Sequence, residues 1–157
     1  MLKLRWRQKT RACRFEPKKL KKKRAPKVDQ FLPRELVATS SSLELRLPIK
    51  TVSEANRFEH WKARASRQKA YSAEIVANLA PNINLIKKPC IITLKRYGPK
   101  LLDEHDNLRM AFKKIVDIIA QELTGKKRGQ GDNDPRLTWR YDQEKSAAYG
   151  VRITFEF

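Results

Sequence analysis

The sequence predicts an α+β fold with elements in the order β-α-β-α-β-β, preceded by a basic arm. Three observations carry this. Four short segments are rich in alternating or β-branched residues, two stretches repeat apolar residues at helical spacing, and the first 27 residues hold thirteen Lys or Arg against one acid, Glu16.

The arm comes first. PKKLKKKRAPK, from Pro17 to Lys27, has no apolar period and is flanked by proline, so it cannot bury a core and is read as mobile. A linker is read through TSSS to Ser42, giving an arm and linker over 1–42 and a folded domain over 43–157. LELRLPI (Leu43 to Ile49) alternates as a half-buried strand does. Ser53 is placed to cap the next helix, in which Phe58, Trp61, Ala65, Ser72, Val76 and Leu79 share one face. His60, Arg64, Arg67 and Tyr71 share another, and Pro81 ends the pattern. CIITLKRYG (Cys90 to Gly98) reads as a second strand. From Asp106 to about Leu123, Leu108, Phe112, Ile115 and Ile119 mark a second helix. GKKRGQGDNDP is a turn-rich loop, and RLTWRYD and YGVRITFEF read as a closing hairpin.

Length and charge narrow the function. A chain of 157 residues fits one domain with a real core plus an appended segment. Thirty-six Lys and Arg against 17 Asp and Glu leave a net charge of +19, which calls for a polyanionic partner. Nucleic acid suits this best, because each neutralised phosphate releases counterions. No long apolar stretch follows the basic start, so the expectation is a soluble, cytoplasmic protein with no membrane span. Two cysteines, Cys13 and Cys90, exclude a disulfide framework and a four-thiolate zinc set. No Gly-rich phosphate loop and no Ser or Cys nucleophile site stands out.

Against this basic background LLDEHDNLRMAF sets three carboxylates, Asp103, Glu104 and Asp106, ahead of the second helix. A helix cap accounts for one of them. Three held together repel unless a cation joins them. A second cluster, Asp132 and Asp134, follows the helix in GQGDNDPRL, where a polar turn is the simpler reading. Oxygen ligands from two loops suit Mg²⁺ or Mn²⁺, which can orient a water and polarise a phosphodiester. Spacing leaves capping and metal binding both open. His105 is read as a solvated loop residue, Trp61 and Trp139 as core, and Asp117 as a solvated or salt-bridged acid.

LDEHDNLRMAFKKIVDII followed by GDNDPRLTWRYDQEKSAAYGVRI resembles the RusA family of Holliday junction resolvases, including its phage and prophage members. Trp139, Tyr141, Gln143, Lys145 and GVRI (Gly150 to Ile153) fit the family pattern, and SEANRFEHWKARASRQKAY resembles its first helix. The resemblance spans 43–157 and implies a single RusA-like domain. It implies a homodimer that cuts branched DNA with Mg²⁺ or Mn²⁺. It also implies metal ligands at Asp106, at Glu104 or Asp103, and at Asp132 or Asp134. Met110 stands where the family has a functional lysine, with Arg109 and Lys113 nearby. DNA contacts are expected from Arg57, Arg64, Arg67, Lys69, Arg109, Lys113, Lys126, Lys127 and Arg128. A non-catalytic nucleic-acid-binding protein on the same fold is the alternative, and a basic assembly protein the third possibility.

Overall fold

The computed structural model describes residues 29–53 and 58–157. The chain is α+β: a five-stranded sheet with two helices. The strands are β1 (Glu35–Ala38), β2 (Ser42–Leu47), β3 (Cys90–Gly98), β4 (Leu137–Lys145) and β5 (Gly150–Glu156). The helices are α1 (Trp61–Leu79) and α2 (Asn107–Thr124), with a short 3₁₀ turn at Ala80–Leu85. The basic stretch before residue 29, with Cys13, and Arg57 lie outside the described residues.

Two expectations need correction. The segment read as linker contributes β1, which pairs antiparallel with β2, Leu36 opposite Leu45. A short exposed edge strand carries too few apolar positions to announce itself. Just before it, the Tyr149 carbonyl accepts the Leu32 N–H at 2.8 Å, and Tyr149 N–H donates to the Gln30 carbonyl at 2.7 Å. The closing hairpin does not form either. The sheet order is β1-β2-β5-β3-β4, so β3 lies between β4 and β5. β3 pairs parallel with β4 and antiparallel with β5. Two strand spacings separate β4 from β5, roughly 10 Å, which the Ser146–Tyr149 connection can bridge. The three strands with two neighbours, β2, β5 and β3, are those that bury a full run of apolar side chains: Leu43, Leu45 and Leu47, then Val151, Ile153 and Phe155, then Cys90, Ile92 and Leu94.

One face of the sheet forms the core. Leu43, Leu45, Ile92, Leu94, Ile153 and Phe155 are fully buried there. α2 covers this face with a broad apolar stripe that includes Leu108, Phe112, Ile115, Ile119 and Leu123. Complete burial of one such side chain stabilises the fold by about 1.5–3 kcal/mol. The helix ends at Gly125, whose φ of 68° is left-handed and whose N–H reaches the Gln121 carbonyl at 2.9 Å. α1 contributes less: it buries Tyr71, Ile75 and Leu79, all in its second half. Its start differs from expectation as well. His60, not Ser53, is the N-cap, with Nδ1 accepting the Lys62 N–H at 3.3 Å.

The opposite sheet face is polar and charge-paired. Registers align Glu35, Arg46, Arg152, Lys95 and Asp142 in one row across all five strands. Three cations side by side repel. Glu35 and Glu44 offset Arg46, and Asp142 and Glu144 offset Lys95. Arg152 lies over the Tyr97 ring and donates to its hydroxyl. This balanced face leaves the excess positive charge to other parts of the molecule. Among the described residues no helix is long and apolar enough to cross a membrane.

Candidate functional site

β3 delivers the chain into residues 99–106, the acidic loop. Two side chains from the core-facing side of the sheet hold this loop in place. Arg96 Nη1 donates to the Lys100 carbonyl at 2.7 Å and Nε to Thr51 Oγ1 at 3.0 Å. Gln143 Nε2 donates to the Leu102 carbonyl at 2.7 Å, and Gln143 Oε1 accepts the Leu102 N–H at 2.8 Å. The amide thus pairs with the loop backbone as a neighbouring strand would. Arg96 is buried, and burial lowers its pKa. Neither role was foreseen. The signal existed: each polar side chain occupies a register position whose strand neighbours, Leu94 and Tyr141, face the core.

Among the described residues no acid side chain caps the first turn of α2 directly. Asp106 is the N-cap residue of α2, yet its side chain makes no cap hydrogen bond. Asp103 Oδ2 instead accepts the Asp106 N–H at 3.3 Å, and the Asp103 carbonyl accepts the Leu108 N–H at 2.9 Å. Asn107 is engaged too, its Oδ1 accepting from Ser53 Oγ at 2.7 Å. Ser53 therefore ties the chain ahead of α1 to the start of α2. Glu104, His105 and Asp106 are exposed, and no hydrogen bond or ion pair engages the Glu104 or Asp106 carboxylate among the described residues.

Glu104 and His105 line an open groove of about 530 Å³ together with Arg109, Trp139, Arg140 and Tyr141. Its floor is aromatic and rigid. Tyr141 stacks on Phe112 at 5.9 Å, and the Arg109 guanidinium lies 5.9 Å from the Tyr141 ring centre. Trp139 packs against the core as expected, with Nε1 donating to the Asp132 carbonyl at 2.9 Å. Trp61 does not: it is 67% exposed.

The two acids of the later loop have different surroundings. Asp134 is buried and saturated. Arg136 donates to it from its N–H at 3.1 Å, Nε at 2.9 Å and Nη2 at 2.9 Å, and Lys126 Nζ adds a contact at 3.1 Å. These partners, Arg136 foremost, hold its carboxyl well below the usual carboxylate range. Asp132 faces α2, where Lys113 Nζ donates to its Oδ2 at 2.9 Å and reaches Asp117 Oδ1 at 3.3 Å. The Lys113 hydrogen bond lowers the Asp132 pKa and raises that of the lysine. Asp132 Oδ1 is buried without a hydrogen bond. The loop is pressed onto α2 at Gly131, where a Cβ would meet Thr124 Oγ1 at 2.7 Å and the Ala120 carbonyl oxygen at 3.0 Å.

One acid from each loop, Glu104 and Asp132, borders a shared surface. Arg109, Trp139 and Tyr141 border both the groove at Glu104 and a smaller hollow at Asp132 and Lys113. Among the described residues no three His, Cys, Asp or Glu side chains are grouped to hold a metal ion. The expected DNA-contacting cations are likewise divided. Arg109, Lys127 and Arg128 are exposed, and the last two edge a shallow depression beside Glu122. Lys69 is exposed on α1, as is Arg64, whose carbonyl accepts from Lys114 Nζ at 3.5 Å. Arg67 is half-buried in a two-pronged pair with Glu59 at 3.0 and 2.5 Å. Lys113 and Lys126 are engaged with Asp132 and Asp134.

No protein-family model matches this chain, and no curated protein matches it.

Proposed function

We propose that the chain is a metal-dependent endonuclease of the RusA type, acting as a homodimer that hydrolyses phosphodiesters in branched DNA. One observation carries the reading: the carboxylates of Glu104 and Asp106, two residues apart on an exposed loop, have no partner among the described residues, although a cap role was open to Asp106. The Asp103 carboxylate, by contrast, accepts the Asp106 N–H. Unpaired acids beside the exposed cations Arg109 and Arg140 suit a site that handles a phosphate backbone with the help of a divalent ion.

Glu104 and Asp106, hard oxygen donors, would hold Mg²⁺ or Mn²⁺, with Asp103 adjoining and Asp132 the candidate from the later loop. Such an ion supplies Lewis acidity to a phosphoryl oxygen and lowers the pKa of a bound water. The protein's own residues supply the rest. Arg109 and Arg140 meet phosphate oxygens, and the Trp139–Tyr141 floor limits how deep a sugar–phosphate chain can sit. Gln143 and Arg96 keep the acidic loop from shifting. Asp134 serves the loop fold through Arg136 and Lys126, so Asp132 is the later-loop acid we assign to the site. Cutting both opposed strands of a four-way junction needs two sites, which a two-fold dimer provides. The resemblance of 43–157 to the RusA family supports Asp106 as a ligand and leaves Asp132 and Asp134 both open, and Met110 stands where the family has a functional lysine.

A specific observation favours the second reading, a structured nucleic-acid-binding protein without catalysis. Lys113 already pairs with Asp132 and Asp117, so the later-loop acid has a cation of its own. One experiment separates the two: cleavage of a labelled four-way junction with Mg²⁺, Mn²⁺ or EDTA, by wild type and Asp106→Asn. Paired nicks that require metal and vanish in Asp106→Asn, with junction binding kept, are expected. Tight binding with no cleavage in either metal sinks the nuclease and leaves the binding protein.

A further inference from the structure

The start of α1 and the residues just before it carry a feature that the acidic site does not use. Phe58 is 106% exposed and Trp61 67%, the two highest values among the exposed large hydrophobic residues described. They stand three residues apart. The His60 ring stacks against Trp61 at 5.8 Å with 29° between the planes. Lys62 Nζ sits 5.6 Å from the Trp61 ring centre. The ring of His60 is itself fixed, because its Nδ1 caps the helix.

Single exposed apolar residues are ordinary, but two so exposed within four residues, one of them stacked on a histidine, stand out. Here the setting is an exposed helix start. Trp61 to Ser66 are all exposed, and the first buried residue of α1 is Tyr71. The first half of α1 carries Lys62, Arg64 and Lys69, and the first acid of the helix is Glu74. Flat aromatic faces interleaved with cations match a polymer of flat bases joined by phosphates. They match a lipid surface less well, since between the aromatics and Tyr71 the helix offers only Ala63, Ala65 and Ala70 as apolar side chains. They match a protein core less well for the same reason.

We infer that Phe58 and the His60–Trp61 pair form a stacking platform for unpaired nucleobases, so that the protein grips single-stranded or splayed DNA at a branch. This rests on the nucleic-acid part of the proposed function but not on cleavage. The platform supplies base stacking, and the neighbouring cations hold the backbone.

The test is a fluorescence anisotropy titration in EDTA, where no cutting occurs. The probes are a labelled oligothymidylate, an abasic strand of equal length, a blunt duplex, and vesicles containing phosphatidylserine. The proteins are wild type, the Phe58→Ala/Trp61→Ala double variant and Trp61→Phe. Both positions are solvent-exposed, and unchanged circular dichroism confirms folding. The double variant should bind oligothymidylate roughly tenfold or more weakly. Its binding to the abasic strand and the duplex should match wild type, and its salt dependence should keep the same slope. Trp61→Phe should restore most of the loss. Equal weakening on the abasic strand overturns the platform, as does unchanged binding to oligothymidylate. Lost vesicle binding with oligothymidylate binding intact assigns the surface to lipid instead. A wild type with no affinity for any DNA overturns both this inference and the nuclease reading. Wild-type binding and cleavage that the variants leave untouched overturn this inference alone.

Discussion

Gln143→Ala removes both hydrogen bonds that hold Leu102, at 2.8 and 2.7 Å, and leaves the strand around them intact. Each such bond contributes a net of about 0.5–1.5 kcal/mol, so the pair contributes about 1–3 kcal/mol. Leu102 and Gln143 are half-buried, so water replaces part of what is lost and the lower half of that range is expected. The effect should be local before it is global. Arg96 still anchors Lys100, and Ser146 N–H still reaches the Gly98 carbonyl at 2.9 Å. Hydrogen exchange at the Leu102 amide should therefore speed up by roughly tenfold, since about 1.4 kcal/mol is one decade, with β3 and β5 amides unchanged. Urea unfolding should show a lower midpoint at constant slope. Gln143→Glu offers a graded control. The carboxylate can still accept from Leu102 N–H but cannot donate to its carbonyl until protonated, so the deficit should shrink as pH falls towards the glutamate pKa. In the nuclease reading, junction cleavage should drop more than junction binding, because Glu104 and Asp106 lose their fixed position. An unchanged Leu102 exchange rate with a stability change below about 0.3 kcal/mol would falsify the clamp.

Asp134 has a folded pKa depressed by Arg136 and Lys126, so its contribution is present above the unfolded carboxylate value near 3.9 and fades as pH falls through the folded one. Asp134→Asn should thus melt below wild type at pH 5–7, and the gap should close as pH drops below about 4; a gap that stays constant to pH 2 contradicts the assignment. Lys113→Met should raise the Asp132 pKa from its lowered value, readable by carboxyl carbon chemical shift, because the lysine hydrogen bond is the leading cause of the shift. No change would mean that Lys113 spends its time elsewhere. Gly125→Ala should cost about 1 kcal/mol in denaturant, because the residue sits at a φ of 68° in the left-handed cap of α2. A neutral result would show that the helix end adjusts without strain.

β3 and α2 were legible because each has one buried side with the matching period. CIITLKRYG alternates into the core at Cys90, Ile92 and Leu94, and α2 buries Leu108, Phe112, Ile115 and Ile119 as the spacing predicts. The periodic reading of α1 was weaker. Phe58 and Trp61 fit the helical face with Val76 and Leu79, yet only the second half of that face meets the sheet. Periodicity says which residues share a side, not how far the neighbouring surface extends. The acidic loop was legible as a cluster of unusual composition. That Asp103 accepts the Asp106 N–H while the Glu104 and Asp106 carboxylates make no hydrogen bond among the described residues was not, because such a bond is decided by where one side chain points.

By itself the sequence determined the charge, the α+β class, the extents of β3, α2 and β5 to within a residue or two, and the two acidic clusters. These are local or additive properties: composition sums, and periodicity reflects one-sided burial within a single element. Only the tertiary structure decided that β3 separates β4 from β5, that β1 closes the sheet edge, and that Asp134 is spent on Arg136 while Asp132 turns to Lys113. Strand order and carboxylate partners are settled by groups far apart in the chain. No window of sequence holds both sides of such a contact.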